Sequence, residues 1–148
     1  AYSADELALD DVRLEMLLKL LNGSNQEEMA IADVVANVMA QRTGLLPCFY
    51  PGEFVRKVGK NPYLFARNLL ANRLYQSPVI YLEPYVMNQP DVFQRIQAGD
   101  YKGTRLITGR ILPSIFREYA SAVAEGVMDY YKFDKNGVHD EPSKKADL

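Results

Sequence analysis

The sequence predicts an α/β fold class: a helix-rich chain with one central buried strand. Three observations predict it. Pro78-Val79-Ile80-Tyr81-Leu82-Glu83-Pro84-Tyr85 is a short, β-branched, proline-flanked run ending in a carboxylate, the pattern of a buried strand delivering a side chain to the rim of a sheet. Two apolar stripes at helical spacing, split by Asn22-Gly23, predict an antiparallel helical hairpin near the start. A third stripe behind Pro113 predicts a long helix near the end. A buried strand cannot leave its backbone N–H and C=O groups unpaired away from water. Few other segments read as partner strands, so the pattern predicts part of a larger folding unit.

The elements follow in order. Ser3 and Glu6 have capping-box spacing ahead of Leu14, Leu17, Leu18 and Leu21, which fall on one helical face. Asn22-Gly23 stops that helix. Ser24 and Glu27 repeat the capping box ahead of Ile31, Val34, Val35 and Val38, a stripe lasting to Gly44. Leu45 to Pro62 is punctuated by proline and glycine, with a short helix predicted over Glu53 to Val58. Tyr63 to Tyr75 reads as a helix feeding the strand, and Asp91 to Ala98 as a short helix behind the Asn88-Gln89-Pro90 turn. Thr104 to Leu112 reads either as a second strand or as an extended connector, with Gly109 weakening both. From Pro113, the residues Phe116, Tyr119, Ala120, Val123, Val127 and Tyr130 repeat at helical spacing. Residues 1–133 are expected to form a single domain or the C-terminal half of one, and residues 134–148 a polar, flexible tail.

Bulk composition narrows the function classes. The 148 residues carry a net charge of −2, which does not favour a nucleic-acid footprint. The single Cys48 excludes an internal disulfide and any cysteine-based metal cluster. No apolar run has the length of a transmembrane segment. A start at Ala1 fits a processed mature end, a proteolytic product or a trimmed chain.

Glu83 is the first candidate for chemistry. A carboxylate at the C-terminal end of a buried strand sits where open α/β sheets place their sites, and partial burial would suit it to general acid/base work. The structural alternative is a solvated Glu83, or one paired with Arg67, Arg73 or Arg95. His139, the single histidine, lies in a polar segment whose spacing fails the calcium-loop pattern, and one histidine cannot build a two- or three-histidine zinc site. Cys48 lacks a neighbouring base and is expected to pack. Tyr50, Tyr63, Tyr75, Tyr81, Tyr85 and Tyr101 surround the central region; such rings line sugar and peptide clefts or fill the edges of small cores. Core is expected for most, with Tyr85 the exception because it closely follows Glu83.

Several phrases resemble the C-terminal part of the zinc-dependent N-acetylmuramoyl-L-alanine amidases that cleave peptidoglycan. They are Arg42-Thr43-Gly44-Leu45, then Ser77 to Glu83, then Tyr85-Val86-Met87-Asn88, and finally the helix Tyr119 to Tyr131. Where the family has Glu-x-Gly-Phe, this chain has Glu83-Pro84-Tyr85. The resemblance implies a larger three-layer α/β sheet domain and metal-assisted amide hydrolysis, with Glu83 catalytic and Tyr85 and Asn88 binding substrate. It implies a peptidoglycan fragment as partner and a periplasmic or cell-envelope location. The family's zinc ligands, two His and a Glu, come from a preceding half, so zinc is expected only if a companion chain or missing N-terminal half supplies them. No metal ligand is assigned to this chain.

The rival expectation is a non-catalytic, mostly helical binding or interaction domain in which Glu83 is structural. A third is a degenerate amidase-like protein that binds glycan without cutting it.

Overall fold

The computed structural model describes residues 5, 10–48, 55–67, 69, 72, 75 and 77–135. Within them lie α1 (Asp10–Leu21), α2 (Ser24–Thr43), β1 (Val55–Lys57), β2 (Phe65–Arg67), α3 (Pro90–Gln97), β3 (Thr104–Ile107), β4 (Arg110–Pro113) and α4 (Ile115–Lys135). The chain is therefore helix-rich and mixed α/β, with two separate antiparallel two-stranded sheets, β1–β2 and β3–β4. The Ser3–Glu6 cap, Tyr50, Glu53, Arg73, His139 and the rest of the tail beyond Lys135 lie outside the described residues.

The core is made by α2 and α4, which pack antiparallel. Val35, Met39 and Ala122 are its buried centre, flanked by Ile31, Tyr119, Val123 and Val127. Gly126 permits the close approach: a Cβ there would lie 2.8 Å from Val35 Cα. The contact is bracketed by Arg42 donating to Glu125 at one end and Tyr130 Oη donating to Glu27 at the other. Glu27 is thus engaged by α4 and not by a capping box. Gly23, in the left-handed region, is the N-cap of α2 without a side-chain cap, while the Ser24 N–H donates to Asn22 Oδ1.

The predicted leucine stripe of α1 is not buried. Leu14, Leu17, Leu18 and Leu21 are all exposed, and among the described side chains of this helix Val12 is buried. The reason is visible in the pattern: Met16 and Leu20 join those leucines, so the helix is apolar around most of its circumference. One neighbour can cover only one face.

Pro78 to Tyr85 is also corrected. Residues 78–86 run without a turn or bend, so the extended conformation is present, but no described strand pairs with it. It is half-buried against the α2–α4 core through Leu82, with Tyr81 and Glu83 exposed.

The helices predicted over 53–58 and 63–75 give way to β1 and β2 over Val55–Lys57 and Phe65–Arg67, while Asn72, within the second span, is helical. Asn61 explains the change. Its Oδ1 accepts from the Tyr63 N–H at 3.0 Å, its carbonyl accepts from the Leu64 N–H, and Nδ2 donates to Asp33 and Asn37 of α2. This Asx turn reverses the chain where helix propensity alone would start a helix. Thr104 to Leu112 resolves into a hairpin, β3–β4, whose turn is Thr108-Gly109 at φ 52 and 77. Gly109 is a turn residue, not a flaw within a strand. α3 matches its predicted span to one residue. α4 begins after Pro113 and runs two residues past the expected boundary at 133. Among the described residues, no helix is long and apolar enough to cross a membrane.

Candidate functional site

A cleft of about 440 Å³ lies between α2, the β1–β2 hairpin and the extended segment. Its floor is one face of α2, where Met29, Ala32, Ala36 and Met39 recur at three- and four-residue spacing. The two alanines leave the space that larger side chains would fill. One wall is Leu64 to Arg67, and the opposite wall is Val79 to Pro84.

Three polar features mark the walls. Arg67 Nη1 donates to both carboxylate oxygens of Glu83, at 3.1 and 3.2 Å, joining the two walls through side chains that are both largely exposed. Glu28 Oε1 accepts from Lys19 Nζ of α1 at 3.1 Å and from the Val79 N–H at 3.0 Å, so one carboxylate ties α1, α2 and the extended segment together. Asn72 Nδ2 donates to the Arg67 carbonyl at 3.1 Å. Its Oδ1 is buried and, among the described residues, has no hydrogen-bond partner, although Asn72 itself lines the cleft.

Of the three residues expected to share a site, only Glu83 lines this cleft. Tyr85 turns toward α3 and α4: its hydroxyl donates to Glu118 Oε2 at 2.9 Å, and Arg95 Nη2 donates to the same oxygen at 2.9 Å. The Arg95 guanidinium carbon lies 6.0 Å from the Tyr85 ring centroid. Burial, then the bond to Glu118, pushes the Tyr85 hydroxyl pKa well above the ordinary tyrosine range. The Arg95–Glu118 pair is itself buried. Asn88 is exposed in the turn ahead of α3.

Other candidates fall as follows. Tyr101 is buried, with its hydroxyl on the Leu112 carbonyl, as expected of a core ring. Tyr63 is half-buried and lines the cleft, donating to the Leu45 carbonyl. Tyr75 and Tyr81 are exposed, against the expectation of core. Cys48, expected to pack, is exposed at the cleft. Among the described residues, no group of three His, Cys, Asp or Glu side chains converges as a metal site.

Sequence reading did not single out Ala32, Ala36, Glu28 or Asn72. The alanine pair did leave a signal: two small residues four apart within an otherwise bulky helical stripe mark a place where something else fits. No family model, curated protein or solved structure matches the chain.

Proposed function

We propose that this chain is a binding domain, with the cleft against α2 taking the apolar body of a ligand. One observation carries the reading: a cleft of about 440 Å³, floored by paired alanines and lined mostly by apolar side chains. Ligand sites are typically pre-formed, mostly apolar and about 300–1,000 Å³, with a few placed polar groups. Glu83 has a structural part in this reading, holding the two walls in register through Arg67.

Titration with the neutral naphthalene fluorophore prodan tests it. Saturable one-to-one binding with blue-shifted emission is expected, and Ala36→Phe, which fills the floor, should abolish it while leaving the circular dichroism spectrum unchanged. Equal binding by folded Ala36→Phe would overturn the cleft reading.

A second reading has its own support. The amidase-like phrases coincide with the extended segment and with Glu83 at the cleft rim. In that reading, strands from a companion chain or preceding half flank residues 78–85 and complete a three-layer α/β sheet domain. The same half brings the zinc ligands, and the substrate is a peptidoglycan fragment in the cell envelope. The degenerate, glycan-binding version would retain muropeptide binding without turnover. Glu83→Gln in the complete assembly should then abolish hydrolysis while preserving the fold; undiminished turnover would remove Glu83 from the chemistry.

A further inference from the structure

The extended segment has a property that neither its packing nor the Arg67–Glu83 pair uses. Residues 78–86 run without turn or bend. At the N-terminal end, the Val79 N–H is taken by Glu28. Among the described residues, the backbone groups of Ile80, Tyr81 and Leu82 make no intramolecular hydrogen bond. Successive residues of an extended chain turn these groups to opposite edges, so with the Val79 N–H directed to α2 the outward edge carries those of Ile80 and Leu82, held in place because Leu82 is anchored on the core. Pro78 and Pro84 close the two ends, limiting any ladder to the residues between them.

Resting on the cleft reading above, we infer that the ligand is an extended peptide from another protein, which adds a strand along Ile80–Leu82. The chemistry identifies this occupant. A row of alternating main-chain donors and acceptors is matched by another main chain, and side-chain pockets beside it read every second residue of the incoming strand. Here the pocket adjoins the segment itself, since Val79 to Pro84 form one of its walls. The pocket-facing residues of the peptide are apolar and uncharged, because the bordering carboxylates, Glu28 and Glu83, already have Lys19 and Arg67 as partners.

A second copy of this chain fits less well. Antiparallel self-pairing about Tyr81 would set Glu83 of each copy opposite Val79 of the other. That brings it beside the Glu28 bound there, carboxylate toward carboxylate, and like charges across a ladder are destabilising.

The test uses the full chain and a pool of capped octapeptides alternating Thr with Val, Leu, Ile or Phe. Backbone amides are followed by nuclear magnetic resonance, with prodan titrated in parallel. Saturating peptide should slow exchange of the Ile80–Leu82 amides that face it at least tenfold. N-methylating the peptide amides on the paired edge should weaken binding by about tenfold or more, the equivalent of one to two hydrogen bonds, while N-methylation on the opposite edge should not. Prodan binding without peptide protection would overturn the strand inference and leave the cleft reading standing; loss of both in the folded wild-type chain would overturn both. Concentration-dependent protection of residues 80–82 without peptide, with a doubled native mass, would make the occupant a second copy and refute the proposal as stated.

Discussion

Gly126→Ala isolates the contact on which the core depends. In an ordinary helix interior this change is favourable by about 1 kcal/mol, because glycine loses the most backbone entropy on folding. Here the new methyl would lie 2.8 Å from Val35 Cα and 3.0 Å from its Cγ2, against an optimal carbon–carbon separation of about 3.5–4.0 Å. The nearer atom is backbone, so a rotamer change at Val35 cannot relieve it; α2 and α4 must separate by roughly 1 Å. That separation loosens Val35, Met39 and Ala122 together. Overpacking of this kind costs about 1–3 kcal/mol, and contact with backbone belongs at the upper end. Against the propensity gain, the net loss is about 1–2 kcal/mol, a fall in Tm of roughly 2–8 °C for a chain of this size. Thermal unfolding followed by far-UV circular dichroism reads it directly. A Gly126→Ala protein melting at or above the wild-type temperature would show that propensity, not the close approach, governs this position.

Three further outcomes are expected. Arg95→Met leaves Glu118 buried without its cation and should cost about 3–5 kcal/mol in urea unfolding, whereas Tyr85→Phe, which leaves the ion pair intact, should cost only about 1 kcal/mol. Because the folded-state pKa of Tyr85 is raised, its neutral form stabilises the fold fully below the unfolded tyrosine value of about 10, and that contribution is lost as pH rises above it. Wild-type stability should accordingly fall more steeply with pH in that alkaline window than that of Tyr85→Phe. Thr108 is a β-branched residue at φ 52; Thr108→Asn, which tolerates the left-handed region, should raise stability by about 0.5–1 kcal/mol, measured as a higher urea midpoint at unchanged slope.

The features legible in the sequence were those carried by local chemistry. The α2 stripe, the Gly44 stop, α3 behind its proline and α4 with its long periodic face all depend on residues within a few positions of one another. Extension of residues 78–86 was legible too, from β-branching and proline. Pairing was not, because a ladder depends on what else reaches the strand. The α1 leucines misled in the same way: helical spacing identifies an apolar face but not a neighbour to cover it. At Asn61, one side chain bonding both its own turn and α2 outweighed the helix formers after it, a long-range contact that a local window does not contain. The site divided along the same line. Glu83 was visible as a strand-end carboxylate, with Arg67 among its candidate partners, yet Tyr85 was drawn away by Arg95 and Glu118, and the cleft itself arises from alanines of α2 meeting a hairpin that the sequence had written as helix.

The antiparallel α2–α4 pair has a consequence during synthesis. Val35 and Gly126, which meet in the core, are separated by about ninety residues of chain. At translation rates of about 5–20 residues per second, α2 waits roughly 5–20 s before its partner has been made. Throughout that interval the nascent chain carries the apolar face of α2 beside the leucines of α1, with its main hydrophobic contact still unmade. Truncation anywhere before α4 would make that transient state permanent, leaving a product that retains helix-forming segments but lacks the principal core, and whose fate is decided by chaperones and proteases.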